Sequence, residues 1–194
     1  MGLVRSFIAC ELSASLQDAI QTAIAGLRKS LAPSLVRWVP GHNVHLTLKF
    51  LGDVPESSLD AIYVALAAQA ANYSPFEVVV EGMGAFPNSR RPRILWIGMK
   101  APPELASLQH DLDLATERLG YKSDFADFAP HLTIARVRQT AGAADQQSIR
   151  EAMARMPVGT LGSQHVDAVH LLKSDLQASG SIYTDLFTAP LAKA

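Results

Sequence analysis

Apolar residues recur along the chain with two different periods, and the switches between them mark out the elements. Val4 to Leu12, "VRSFIACEL", is rich in strand formers and ends at Ser13, a favoured helix N-cap. Leu16, Ala19, Ile20, Ala23, Ile24 and Leu27 then recur at helical spacing, which predicts one amphipathic helix over 13–30. "VRWV" (36–39) and "VHLTLKFLG" (44–52) read as strands separated by the Pro40-Gly41 turn. A second helix begins near Pro55 and carries Leu59, Ile62, Tyr63, Leu66 and Ala70 on one side. "FEVVVEGMGAF" (76–86) and "RILWIGMK" (93–100) are strands joined by the basic turn "PNSRRPR", whose Arg90, Arg91 and Arg93 are expected as surface charges. Pro102 and Pro103 open a third helix through Leu105, Leu108, Leu112, Ala115 and Leu119, stopped by Gly120. "PHLTIARV" (130–137) is a further strand, "TAGAADQQ" (140–147) a surface loop and 145–155 a short helix. "HVDAVHLLKSDL" (165–176) and "SIYTDLFTAPL" (181–191) read as a closing hairpin.

Within this order one arrangement occurs twice. Ile8 precedes His45 by 37 positions and Leu95 precedes His131 by 36, with a single amphipathic helix expected inside each interval. Such matched spacing predicts an internal duplication. The fold class that follows is α+β and bilobal: two pseudo-symmetric lobes, each a mainly antiparallel sheet backed by helices, with a cleft between them. One domain over 1–194 is expected, because 194 residues, 48% of them hydrophobic, suffice for one core or two lobes that share one.

The second member of each repeat carries the same polar signature, "HLTLKFLG" from His45 and "HLTIARVR" from His131. Side chains on a strand alternate faces, so His45 and Thr47 share one face, with Leu46, Leu48 and Phe50 on the other. His131 and Thr133 likewise oppose Leu132 and Ile134. Lys49 shares parity with His45, which would let it reach the cleft, and is expected instead as an exposed lysine near a strand end. In this composition a His-x-Thr triplet is expected about 0.25 times, so two copies flanked by aliphatic residues are poorly explained by coincidence.

Charge narrows the choice of partner. Lys plus Arg number 17 against 18 for Asp plus Glu, a formal net charge of -1, so no global positive field holds a long polyanion and any nucleic acid must be gripped locally. Cys10 is the only cysteine, which precludes an internal disulfide and suits a small buried residue. "MGLVRS" satisfies the short acylation pattern through Ser6, yet Phe7 to Ala9 read as a buried strand that begins at once. With no apolar stretch long enough to span a bilayer, a cytoplasmic protein without membrane association is expected.

Two imidazoles suit proton transfer better than metal binding, since the motifs have no nearby Cys and no helix-spaced second His. Paired imidazoles can act as base and acid in one displacement at phosphorus, and threonine hydroxyls with a cation can hold the non-bridging oxygens. Two neighbouring imidazolium ions repel, so one is expected to titrate below the other. No cofactor and no metal are expected. His42, His110, His165 and His170 carry no functional expectation.

The two motifs resemble the paired His-x-Thr-x signatures of the two-histidine phosphoesterases, in particular the RNA 2′,3′-cyclic phosphodiesterases, historically called 2′-5′ RNA ligases. "FIACEL", "VRWVP", "FLGDVPE", "GAFPNSRRPRILWIG" and "FAPHLTIAR" resemble the corresponding family blocks, so the likeness runs nearly the whole chain. The resemblance implies a bilobal, metal-independent enzyme that opens a 2′,3′-cyclic phosphate at an RNA end to leave a 2′-phosphate, with 2′-5′ ligation in some members. It makes His45 the proton donor to the leaving 3′ oxygen and His131 the proton acceptor that activates water, an assignment the sequence equally allows to be exchanged. Thr47 and Thr133 would bind phosphate oxygens, and Arg136 matches the basic residue five positions after the second His. Strict alternation would put Arg136 on the wrong face, so its strand must end, twist or bulge first. Phe50 and Phe128 match aromatic positions near the cleft and could stack on a base.

The chain departs from the family at Ala126-Asp127, where many relatives carry Arg-Pro, and at Ile182, often basic in relatives; both bear on RNA contact. The partner expected is an RNA with a 2′,3′-cyclic phosphate end or a small cyclic nucleotide, acted on by a monomer. The alternatives are a nucleotide- or RNA-binding module without turnover, and a phosphodiesterase of small cyclic nucleotides.

Overall fold

Alternation along the first strand, β1 (Leu3–Cys10), sends Ile8 and Cys10 into the main apolar core and Phe7 and Ala9 to the opposite face. The computed structural model describes residues 2–123, 128–177 and 180–192. After β1, helices α1 (Ala14–Ala23) and α2 (Ala25–Ser30) bury Leu16, Ile20 and Leu27. The single predicted helix is interrupted at Ile24, yet Ile24 N–H still donates to Ile20 O (3.0 Å) and Ile24 O accepts from Arg28 N–H (2.9 Å). The apolar stripe therefore runs on.

Strands β2 (Val36–Trp38) and β3 (Leu46–Pro55) follow, then α3 (Leu59–Ala70), β4 (Phe76–Phe86) and β5 (Ile94–Lys100). Helix α4 (Pro103–Glu117), strand β6 (His131–Val137) and helix α5 (Ala143–Arg155) come next. Strands β7 (Thr160–Val166), β8 (Ala168–Gln177) and β9 (Gly180–Pro190) close the chain. Among the described residues no helix is long and apolar enough to cross a membrane.

The structure corrects the sequence reading in several places. Helix α5 starts within the predicted loop, where Gly142 N–H donates to the Asp145 carboxylate (2.9 Å) and caps the first turn. The segment predicted as one strand over 165–176 divides at Asp167 into β7 and β8. "TLGSQHV" has no apolar alternation; it is a strand because it pairs along the edge of β4. The repeat is also less regular than expected, since β2 has no counterpart between β5 and β6 among the described residues.

The strands run in the order β7-β4-β5-β6-β3-β1-β8-β9, with β2 added to β6. The order is a palindrome of roles: β6 and β3, the two motif strands, stand at the middle, flanked by β5 and β1. Each half is antiparallel, and strands from the end of the chain, β8 and β9, complete the first half. The two motif strands pair with each other at one place among the described residues, Leu46 opposite Leu132. Both leucines lie in a single apolar cluster that draws on both halves and on the helices.

Each motif strand contains a bulge at the same place. On β3, Thr47 pairs with Ala9 but Lys49 pairs with Ile8, leaving Leu48 as the extra residue. On β6, Thr133 pairs with Trp96 but Ala135 pairs with Leu95, leaving Ile134 extra. A bulge reverses the parity of everything after it. Lys49 and Ala135 consequently point into the core, and Phe50 and Arg136 point out on the side of the histidines. The sequence expectation for Lys49 and for the face of Phe50 is thus overturned; Arg136 reaches the polar face by the bulge that strict alternation required.

Lys49 is 3% exposed and forms an ion pair with Asp113 of α4, while its Nζ also donates to Lys122 O (2.8 Å). Ser123 donates its hydroxyl hydrogen to the same carboxylate. One buried charge pair therefore ties the first motif strand to α4 and to the segment that follows it. Removing one partner strands the other charge in the interior, which costs about 3–5 kcal/mol. Lys49→Met is expected to lower the unfolding free energy by about that amount in urea denaturation, and Lys49→Met/Asp113→Leu to recover part of the loss. A single-variant loss under about 1 kcal/mol would contradict the burial of the pair.

Candidate active site

Counting outward from the Leu46–Leu132 pairing fixes the centre of the molecule. Antiparallel register sets His45 across from Thr133 and Thr47 across from His131, all four on the face opposite the two leucines. The histidines are then diagonal neighbours across that joint, near enough for the charge of His131 to act on His45.

Each ring is oriented by the same device. His45 Nδ1–H donates to the Asn43 carbonyl (2.7 Å), and His131 Nδ1–H donates to the Ala129 carbonyl (2.8 Å). A carbonyl oxygen can only accept, so Nδ1 carries the proton in both rings and Nε2 is left for chemistry. In both motifs the acceptor lies two residues upstream. Asn43 is itself held by its side-chain Nδ2–H, which donates to Ser181 O on β9 (2.7 Å).

The surroundings of the rings differ. His45 lies against Phe7 (centroids 4.8 Å, 30° between planes) and edge-on to Tyr183 (5.2 Å, 84°). His131 meets Phe86 edge-on (4.8 Å, 83°), with Trp96 further off at 6.5 Å. Burial pushes His45 down to about 4; the hydrogen bond to Asn43 opposes the shift, and the charges of Arg136 and His131 add to it. The sequence expected repulsion between the rings to lower one of them; at His45 burial is the larger cause.

A cavity of about 580 Å³ opens over this centre, within the range of small-molecule sites at about 300–1,000 Å³. His45, Thr47, His131 and Thr133 line it, as do Arg136, Phe50 and Phe128, so it gathers all seven residues given a catalytic or binding role from the sequence; Ile182 is not among its lining. Phe50 is 61% exposed and free to present a ring face, whereas Phe128 also packs against the main core. Ala126 and Asp127 lie outside the described residues. Among the described residues no group of three or more His, Cys, Asp or Glu side chains is placed to hold a metal ion. Cys10 is buried, and burial with the nearby Asp167 charge pushes its thiol up to about 12, an inert state.

Sequence reasoning missed Arg37, Asn43, Phe86 and Tyr183, all of which line the same cavity, as well as Phe7 behind His45. The place of Asn43 two residues before the first His was an available clue. Tyr183 had none, since the register of the β8–β9 hairpin decides which of its residues face the cleft.

Two mirrored half-sheets, each delivering a His-x-Thr pair to one cavity, define the two-histidine phosphoesterase class. The profile of the 2′-5′ RNA ligase superfamily matches residues 16–178, and the chain belongs to that family. It is 36% identical over 183 residues to the RNA 2′,3′-cyclic phosphodiesterase of Methanothermobacter thermautotrophicus, covering 94% of this chain and 96% of that protein. Among solved structures it is similar to TT0787 of Thermus thermophilus, with a TM-score of 0.80 and 28% identity over 97% of this chain and 98% of that one. It is also similar to E. coli LigT complexed with 3′-AMP, with a TM-score of 0.76 and 26% identity over 98% and 99% of the two chains.

The low value for His45 has a consequence for stability. Between about 6.5, its ordinary value, and about 4, the unfolded chain holds a proton that the folded chain does not. Stability contributed by the neutral ring is present above that window and is lost as pH falls through it. Melting curves at about pH 7.5 and about pH 5 are expected to show a smaller acid-induced drop in Tm for His45→Asn than for the wild type. Equal drops would show that the ring is solvated in the folded state.

Proposed function

We propose that the protein is a metal-independent hydrolase of RNA 2′,3′-cyclic phosphate ends that leaves a 2′-phosphate. The observation that carries this reading is the mirrored pair of Nδ1–H···O=C hydrogen bonds, which leaves two Nε2 atoms for proton transfer at one cavity. The name of the relatives, RNA 2′,3′-cyclic phosphodiesterase, supplies the substrate class.

In the proposed reaction His131 Nε2 takes a proton from water as the water oxygen attacks phosphorus. The bond from phosphorus to the 3′ oxygen breaks, and His45 Nε2–H gives its proton to that oxygen. Thr47 and Thr133, diagonal to each other beside the rings, donate hydroxyl hydrogens to the non-bridging oxygens, and Arg136 adds positive charge. Phe50 and Phe128 offer platforms for the base. His45 is neutral in the empty cleft at neutral pH, but an anionic phosphodiester beside it favours the imidazolium that a donor must be. With the 5′ hydroxyl of a second RNA end in place of water, the same steps form a bond from phosphorus to the 5′ oxygen as the bond to the 3′ oxygen breaks, which joins a 2′-5′ linkage; ligation belongs to this proposal on that ground alone. The reading treats residues 1–194 as one two-lobed domain acting as a cytoplasmic monomer, in keeping with the shared core.

Incubation with each nucleoside 2′,3′-cyclic phosphate in excess EDTA is expected to give the nucleoside 2′-phosphate at an undiminished rate. His45→Ala and His131→Ala should each lose about 10²–10⁴-fold in kcat, and kcat/KM should follow a bell in pH. A bell alone does not assign the two roles, because either order of protonation gives the same curve. Sulfur in place of the leaving 3′ oxygen makes a group that departs without a proton, so this substrate should rescue the variant that lacks the acid, His45→Ala, and not His131→Ala. Rescue of the other variant would exchange the roles; full activity in either alanine variant with the ordinary substrate would end the mechanism.

A further inference from the structure

Strand β2 is the irregular piece of the duplication, and it pairs with the motif strand of the other half. Its register sets Arg37 directly opposite Arg136. Both guanidinium groups belong to exposed residues that line the cavity. Like charges directly opposed on paired strands are destabilising, and among the described residues neither arginine has a carboxylate partner. The Arg37 side chain approaches β9, where its Nη2 lies 3.8 Å from the position a side chain on Gly180 would occupy; both residues line the cavity. Two opposed cations without a counter-charge, on the wall of an open cavity, fit a ligand that brings more than one anionic group.

The geometry points to Arg37 as the binding residue for a second phosphate, the one carried on the 5′ oxygen of the terminal nucleoside. This deepens the hydrolase reading and rests on it for the position of the first phosphate. The threonines and Arg136 serve the reacting phosphate between the rings. Arg37 stands about 4.8 Å from Arg136 across the sheet, on the same edge of β6 as β3, further along that edge from the Leu46–Leu132 joint. A nucleoside bound by its cyclic phosphate between the rings must send its 5′ end somewhere along this wall, and on the opposite half the position equivalent to Arg136 is Phe50, which offers a ring and no charge. The positive charge is thus gathered at one end of the cleft. A 5′-phosphate there is supplied either by the next linkage of an RNA chain or by a free nucleotide phosphorylated at both ends.

Three substrates separate the possibilities: a nucleoside 2′,3′-cyclic phosphate, the same compound with a 5′-phosphate, and a dinucleotide ending in the cyclic phosphate. The wild type is expected to favour the second and third over the first by about tenfold in kcat/KM, Arg37→Gln to lose most of that preference, and Arg37→Lys to keep part of it. For the dinucleotide, the slope of log kcat/KM against log salt should fall by about 0.7 in Arg37→Gln, as for one lost phosphate contact to a single strand. Preference for the dinucleotide alone would name an RNA chain as the source, and equal preference for both would name the phosphate itself. Loss of the same factor on all three substrates, or a preference unchanged in Arg37→Gln, would overturn the assignment. Calorimetric binding of a nucleoside 2′-phosphate against its 2′,5′-bisphosphate keeps the two readings apart. A chain that turns over none of the substrates yet binds the bisphosphate about tenfold better through Arg37 would refute the hydrolase and retain this site. Turnover without discrimination would do the reverse.

Discussion

One backbone pairing, Leu46 opposite Leu132, is what makes a single site out of two half-sheets. Everything polar in the cleft is placed relative to it. The two leucines face the common core, so the residues on either side of them must face away, and those residues are the histidines and threonines. A slip of one residue at this joint would bury the imidazoles among aliphatic side chains and expose the leucines. The burial of two leucines in a core that spans both halves thus holds the register that aligns the chemistry.

The bulges at Leu48 and Ile134 add a second layer to this arrangement. Without them, each strand would offer the cleft one His, one Thr and then the residue two further on, Lys49 in the first half and Ala135 in the second. With them, the residue five positions after each His is presented instead, Phe50 on one side and Arg136 on the other. The cleft so acquires a ring on one wall and a cation on the opposite wall. The displaced residues fare differently. Ala135 enters the core at little cost, whereas Lys49 requires a carboxylate, and Asp113 on α4 provides it. The same pair anchors Lys122 and Ser123, so a structural compensation in the first motif strand also holds the residues that follow α4.

What the sequence revealed and what it concealed divide along the same line. The helices, the motif strands and the pairing of His with Thr are local in origin, carried by period and by adjacent residues, and they were readable. The parity of Phe50 and Lys49 was not, because a bulge arises from the partner strand: β1 decides where β3 must skip. The need for a bulge before Arg136 could be inferred only because a basic residue was expected at that position. Strand β7 and the cleft-facing side of Tyr183 are likewise set by their neighbours, and Arg37 becomes notable only once β2 is seen to cross to the other half.

Symmetry and asymmetry have separate tasks in the cleft. The repeated hydrogen bond from Nδ1 to a carbonyl two residues upstream is symmetric, and it gives both imidazoles the same tautomer and a free Nε2. Identical groups with identical surroundings would gain and lose protons together, and a pair that titrates in step has neither a standing donor nor a standing acceptor. The surroundings remove that degeneracy. Phe7 and Tyr183 enclose His45 and exclude the water that would stabilise its charge, while Arg136 and His131 supply further positive potential. Since both cationic influences on His45 come from the second half, an anion seated between the halves screens them and lifts His45 toward its charged form. In the proposed reaction, substrate binding and the readiness of the donor are coupled through the same few charges: the empty cleft rests without two facing imidazolium ions, and the proposed acid assembles when an anion fills it.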